Sequence, residues 1–198
     1  MSDQAAIYVH IPFCVKKCIY CDFYSKTNLS LIPDYVKSLQ KEIERRAGPK
    51  EKISSIYFGG GTPSLLTIKD IDLTLQTISD RFLISRNVEV SLEVNPGTID
   101  LNYLRELKKT GINRLSIGVQ SFNDDKLKFL GRIHTAEQAV RAIDAAENGG
   151  ELPALGGNGN LRGPAAFDTI AQLDNWQDEW KARELERRET SGWARSPW

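Results

Sequence analysis

Short apolar runs alternate with longer helix-like runs from residue 7 to residue 146, and this alternation limits the fold more than any other feature. Four runs are rich in β-branched or aromatic residues and have the length of buried strands: Ile7–Ile11, Ile53–Phe58, Val88–Val94 and Arg114–Val119. The candidate helices that follow them are Pro33–Arg46, Ile68–Phe82, Leu101–Lys109 and Ala136–Ala146, with a shorter one at Asp124–Leu130. The pattern predicts an α/β fold of about four βα units with parallel strands.

Residues that start and stop helices stand where this pattern needs them. Asp100 can cap the third helix and Gly111 can end it, while Thr135 with Glu137 and Gln138 can begin the last one. Local signals and the global pattern therefore predict the same elements.

The loops that follow the predicted strands hold the unusual residues of this chain. In parallel sheets of this kind, ligands bind at the carboxyl ends of the strands. The loops expected to meet there are Pro12–Lys26, Gly59–Ser64, Asn95–Thr98 and Gln120–Ser121.

Three cysteines lie within eight residues directly after the first strand, with the spacing C-x3-C-x2-C. An odd, crowded set does not suit a disulfide framework, and thiolates are ligands for iron–sulfur clusters or zinc. Cys14, Cys18 and Cys21 could hold three irons of a four-iron cluster and leave the fourth open. A zinc site is the alternative and would need His10 or His134 as fourth ligand. A purely structural cysteine cluster is a third interpretation.

The charge balance argues against several classes of partner. Lys plus Arg equals Asp plus Glu at 26 each, so no net charge favours a nucleic acid. No run of about 18 apolar residues could span a bilayer, and the first residues do not resemble a secretory signal. We expect no nucleic-acid partner, no integral membrane association and a cytoplasmic location.

The character of the chain changes after residue 147. All four Trp lie in residues 148–198, and Arg there outnumbers Lys by five to one, whereas residues 1–147 hold twelve Lys and eight Arg. Asn148–Gly163 is rich in glycine and is typical of a linker, and Asp174–Glu189 could form a charged helix. We predict a core at 1–147, an irregular or helical tail at 148–198, and no fifth βα unit.

Five sequence blocks in residues 7–146 carry a resemblance to a known family: YVHIPFCVKKCIYCDF, FGGGTPSLL, LEVNPGT, GINRLSIGVQSF and LGRIHT. They resemble, in order, the coproporphyrinogen III oxidase-like branch of the radical S-adenosylmethionine (SAM) superfamily. The resemblance implies the first part of a partial (β/α) barrel. It also implies a [4Fe–4S] cluster on Cys14, Cys18 and Cys21, whose open iron chelates the amino and carboxylate groups of SAM.

The resemblance also implies which other residues contact SAM: Tyr8, Gly60, Gly61, Thr62, Glu93, Gln120 and Arg132. The glycines and Thr62 would meet its methionine end, Glu93 would accept hydrogen bonds, and Arg132 would pair with its carboxylate. Tyr8 would act through its backbone. Without the resemblance, the glycines could form a plain turn, Arg132 a solvated charge, and Tyr8 a strand aromatic. No catalytic residue is assigned.

One position separates two groups within this branch. The oxidases continue to a fourth cysteine, C-x3-C-x2-C-x-C, where this chain has Phe23. The resemblance therefore implies a HemW-type heme chaperone, with heme as a further ligand and a reducing electron-donor protein as partner. The alternative is an oxygen-independent oxidase that acts on a porphyrinogen. Because residues 148–198 match no family block, we also expect a truncated or rearranged chain, and a non-functional or zinc-binding fragment is the third alternative.

Overall fold

The computed structural model describes residues 4–46, 52–149 and 154–156, which all belong to one compact unit spanning residues 1–161. Within these ranges, parallel strands form one sheet in the order β1-β2-β3-β4-β5. The strands are β1 Gln4–Ile11, β2 Lys52–Gly60, β3 Leu83–Val94, β4 Arg114–Ile117 and β5 Ala154–Gly156. The helices are α1 Ile32–Arg46, α2 Ile68–Arg81, α3 Leu101–Lys109, α4 Asp124–Leu130 and α5 Ala136–Asp144.

The structure confirms the α/β fold class, with the four predicted strands and the five predicted helices present in order. The predicted caps form as well. The Asp100 side chain accepts the backbone N–H of Tyr103, and Thr135 and Gln138 form a capping box. Helix α5 ends at Asp144, two residues earlier than expected, and continues as a π-helical turn.

A fifth strand was not predicted. Residues 154–156 pair in parallel with β4, with Leu115 opposite Ala154 and Ile117 opposite Gly156. The expectation of a plain glycine-rich linker from residue 148 is therefore wrong at these three residues. A three-residue strand beside glycines is too short to show a hydrophobic period, which is why the sequence did not reveal it. The remainder of the predicted tail, residues 150–153 and 157–198, lies outside the described residues.

Alternation along the strands divides the sheet into two faces. Phe58, Leu92 and Ile117 are fully buried in the hydrophobic core, together with helix residues such as Ile71 and Leu104. The neighbours of these strand residues line a cavity on the opposite face, among them Tyr57, Ser91, Glu93, Ser116 and Gly118. The sheet thus directs apolar side chains towards the helices and polar ones towards the cavity. In the described part of the chain, no helix combines the length and hydrophobicity needed to cross a membrane.

Candidate functional site

A cavity of about 460 Å³ lies at the carboxyl ends of the strands. All four loops that were expected to meet there contribute to its lining, although the third contributes only Asn95 and the fourth only Gln120. Nine of the ten residues proposed from the sequence line this cavity: Cys14, Cys18, Cys21, Gly60, Gly61, Thr62, Glu93, Gln120 and Arg132. The tenth, Tyr8, does not. The convergence expected from strand order is therefore present.

The loop Pro12–Lys26, here called the cysteine loop, carries the three thiols. Its two ends are tied by backbone hydrogen bonds, from Lys26 N to Pro12 O at 2.7 Å and from Cys14 N to Lys26 O at 3.0 Å. All three cysteines are free thiols. They line one cavity. Within the described ranges, no three His, Cys, Asp or Glu side chains, the cysteines included, lie close enough to one point to hold a metal ion together.

Gly60 at the end of β2 and Gly61 directly after it allow close contact with β1 and with the cysteine loop. A Cβ atom on Gly61 would lie 2.6 Å from the carbonyl oxygen and 2.9 Å from the nitrogen of Phe13. Gly60 has φ of +112°, and a Cβ there would lie 2.7 Å from the His10 ring. Beside them, the Thr62 hydroxyl lies 3.6 Å from Cys14 Sγ. The missing side chains therefore let β2 pack directly against the start of the cysteine loop.

Glu93 is held at the cavity by two hydrogen bonds. Its Oε1 accepts the Tyr57 hydroxyl at 2.7 Å, and its Oε2 accepts the Gly60 backbone N–H at 3.1 Å. Burial and the bond to Glu93 raise the pKa of Tyr57 to about 12, so the phenol stays a donor near neutral pH. Tyr57 was not among the site residues predicted from the sequence, although its position one residue before buried Phe58 places it on the cavity face.

Arg132 joins the cysteine loop to the end of β4. Its Nη2 donates to Gly118 O at 2.6 Å, and its Nη1 lies 3.4 Å from the Tyr20 hydroxyl and 3.6 Å from Cys18 Sγ. Its Nε is buried and has no hydrogen-bond partner among the described residues. The interpretation of Arg132 as a solvated helix charge is wrong, because the residue follows α4 and lines the cavity.

Tyr8 and His10 lie on β1 beside the site. The Tyr8 ring stacks on Tyr57 with centroids 6.0 Å apart, and its hydroxyl lies 3.2 Å from His10 Nδ1. His10 Nε2 lies 3.2 Å from the Tyr24 carbonyl oxygen in the cysteine loop. Neither Tyr8 nor His10 lines the cavity. The expected contact between the Tyr8 backbone and SAM therefore stays a prediction.

His134 was a candidate fourth ligand for zinc, but the structure places it behind the cavity wall. The residue is 3% exposed and does not belong to the lining. Burial and the guanidinium of Arg132 lower the pKa of His134 from 6.5 to about 4, so the ring is neutral near pH 7. Nothing in the sequence indicated that His134 is a buried residue rather than a metal ligand.

The sequence matches known proteins over the part of the chain that forms this site. The Radical SAM superfamily matches residues 8–152. The heme chaperones HemW of Buchnera aphidicola and Escherichia coli are 43% and 39% identical over 143 and 145 residues, or 70% and 71% of this chain. Radical S-adenosyl methionine domain-containing protein 1, mitochondrial, of Danio rerio is 40% identical over 146 residues, covering 72% of this chain and 33% of that protein.

Solved structures agree with the sequence matches. Coproporphyrinogen III oxidase (HemN) from Escherichia coli superimposes with a TM-score of 0.70 at 32% identity, over 77% of this chain and 36% of that one. The fold also resembles anSMEcpe with bound AdoMet, with a TM-score of 0.54 at 16% identity, over 78% of this chain and 43% of that one. This chain spans only 38% of the length of each of the two HemW relatives. The superfamily match covers most of the chain, and the chain therefore belongs to the radical SAM superfamily.

Proposed function

We propose that this chain supplies the part of a HemW-type heme chaperone that binds a [4Fe–4S] cluster and SAM. Membership of the superfamily implies both groups. The identity of 39–43% to HemW relatives supports the chaperone assignment. Because the chain spans about two fifths of those relatives, heme transfer, the heme acceptor and the electron-donor protein all belong to the proposal.

The observation that carries the proposal is that three thiols share one cavity with the positively charged Arg132 and the negatively charged Glu93. Cys14, Cys18 and Cys21 are the soft ligands that an iron–sulfur cluster needs, and they come from one short loop. Arg132 lies beside Cys18, where its positive charge would offset that of a thiolate. The cluster, when bound, supplies the open iron and the electron on which SAM cleavage in this superfamily depends.

The other walls of the cavity suit a ligand that carries both an amino and a carboxylate group. Glu93 presents a carboxylate that is already oriented by Tyr57 and Gly60. Arg132 has a buried Nε–H that lacks an acceptor among the described residues, and buried donors of this kind are normally satisfied. We assign the amino group of SAM to the side of Glu93 and an acceptor atom of SAM to Arg132.

The competing function is that of an oxygen-independent coproporphyrinogen III oxidase, favoured by the structural match to HemN. The chain has Phe23 where the oxidase pattern carries a further cysteine. Phe23 lines the cavity and is 63% exposed, so its ring is available to an apolar ligand at the mouth. We place a porphyrin-like ligand, heme in the first case and a porphyrinogen in the second, on this side.

Equilibrium dialysis after anaerobic reconstitution tests the cofactor part of the proposal. We expect about four irons per chain and retention of labelled SAM, with D125N, an exposed change on α4 outside the cavity, behaving as wild type. A protein that retains zinc instead of iron and binds no SAM would contradict the proposal.

Heme titration and porphyrinogen turnover separate the two functions. A chaperone is expected to shift the Soret band of added heme at a stoichiometry near one, and to consume no coproporphyrinogen III under reducing, anaerobic conditions. Turnover by the reconstituted protein would favour the oxidase. The F23C variant, which restores the oxidase pattern, is the matched comparison for both assays.

A further inference from the structure

His134 is the buried titratable residue that the proposed cofactor site leaves without a role. Its Nε2 lies 2.9 Å from the carbonyl oxygen of Val119, and its Nδ1 lies 3.2 Å from Oδ1 of Asn95. Asn95 follows β3, Val119 follows β4, and His134 itself lies between α4 and α5. One imidazole ring therefore contacts the ends of two neighbouring strands.

The chemistry of these two partners fixes the position of the ring proton. A backbone carbonyl can only accept, so the contact with Val119 requires a hydrogen on Nε2. Asn95 Oδ1 already accepts the Gly97 backbone N–H at 3.0 Å. A neutral ring has a single N–H, and the shorter distance assigns it to Nε2. The contact between Nδ1 and Asn95 Oδ1 at 3.2 Å then has no hydrogen and is not a hydrogen bond. The bond to Val119 is then the one that a neutral His134 makes.

The Val119 carbonyl belongs to a tight backbone segment. Val119 N donates to Ile117 O at 2.9 Å, and Ser121 N donates to Val119 O at 2.9 Å. Between them Gln120 has φ of 66°, the one positive φ outside glycine in the described ranges. Such a conformation is unfavourable for a residue with a side chain, and it persists only where the surroundings hold it.

We propose that His134 is a positioning residue, whose Nε2–H holds the Val119 carbonyl and so keeps Gln120 in the conformation that lines the SAM cavity. The inference rests on the proposed function, since it assigns Gln120 to SAM binding. Without the bond, the segment from Gly118 to Ser121 could relax to negative φ at Gln120, and the cavity wall at that point would change shape. Arg132 shares this wall through its bond to Gly118.

Two substitutions at this position distinguish positioning from simple packing. The amide nitrogen of a glutamine can reach the place of Nε2 and donate to Val119, whereas the shorter asparagine reaches only the place of Nδ1. We expect both variants to keep the iron content of wild type, and H134N to lose more thermal stability than H134Q because only H134N lacks the bond to Val119. The SAM affinity of H134Q should be within about threefold of that of wild type. The SAM affinity of H134N should be about tenfold lower than that of wild type, which corresponds to the loss of one buried hydrogen bond.

Equal SAM binding by the two variants, whether weakened or intact, would overturn the inference. A second measurement needs no cofactor: a long-range ¹⁵N–¹H spectrum of the apo protein, which has only two histidines. At pH 7 the resonances lost in H134Q should show a neutral ring protonated at Nε2, and protonation at Nδ1 would refute the role. If wild type binds no SAM, the proposed function fails, and this spectrum still decides whether His134 holds Val119.

Discussion

The two walls of the cavity differ in how their side chains are held. On one wall, the cysteine loop is fixed mainly through its backbone, and Val15, Ile19 and Phe23 are about half exposed or more. The other wall, here called the polar rim, consists of the ends of β3 and β4 with Arg132, and His134 packs behind it. Its side chains are tied to one another and to the backbone.

The two walls therefore differ in how far their side chains are held in place by the protein itself. The polar rim is already ordered by hydrogen bonds within the protein, so its ligand-facing groups need little rearrangement. The thiols of the cysteine loop share the cavity and are the groups that would ligate a metal there. Substitutions in the loop should therefore affect metal content, while substitutions in the rim should affect stability and SAM affinity.

The largest effect is expected from C18A in the cysteine loop. Two remaining thiolates cannot hold three corners of a cluster, so iron after reconstitution should fall from about four per chain to below one. Thermal unfolding of the apo protein should be unchanged, because Cys18 is partly exposed. Ile19, also exposed in this loop and outside the cavity lining, provides the control I19A. Iron retention by C18A would show that the loop does not ligate the cluster.

The junction between the two walls should be sensitive to added volume at Gly61. An alanine there would place Cβ 2.6 Å from a backbone oxygen of Phe13, which cannot move aside as a side chain could. We expect G61A to lower the free energy of unfolding by roughly 2–4 kcal/mol in urea titrations. G111A, where φ is +102° but no atom lies within 4 Å, should cost only about 1 kcal/mol. If G61A and G111A lowered the free energy of unfolding equally, close packing against Phe13 would not be the reason for the glycine at position 61.

Acid should lower the free energy of unfolding through protonation of His134, which packs behind the polar rim. Its pKa is about 4 in the folded protein and about 6.5 when unfolded, so between these values only the unfolded chain takes up the proton. The stability that the neutral ring provides is present above pH 6.5 and is lost as the pH falls towards 4, by at most about 3 kcal/mol. Urea titrations across this range should show the loss in wild type relative to H134Q. A constant difference between the two proteins would contradict the lowered pKa.

The smallest effect is expected from E93Q in the polar rim. The amide keeps an oxygen that can accept the Gly60 N–H but removes the negative charge. SAM affinity should fall about tenfold, which corresponds to about 1.4 kcal/mol, while iron content stays at the wild-type level. Glu106 is exposed on α3, and neither it nor its partner Lys109 lines the cavity, so E106Q is the matched control. Unchanged affinity in E93Q would remove Glu93 from the SAM site.

The helices, the first four strands and the loops that meet at the cavity could be predicted because the sequence patterns that specify them are local. Strand periodicity, caps such as Asp100, and the order of parallel strands require no knowledge of distant contacts. The partners that shape the rim could not be predicted. His134 reaches Val119 across 15 residues and Asn95 across 39, and Tyr57 reaches Glu93 across 36. Such pairings depend on the packing of several elements, which sequence spacing does not encode.

Electron paramagnetic resonance of the reduced, reconstituted protein tests whether both walls serve one cofactor site. If the cysteine loop holds a cluster with an open iron and the polar rim binds SAM beside it, the reduced cluster should give a signal whose g values shift when SAM is added. The shift should be absent in C18A, which lacks the cluster, and should need more SAM in E93Q. A cluster signal that saturating SAM leaves unchanged in wild type would contradict the account.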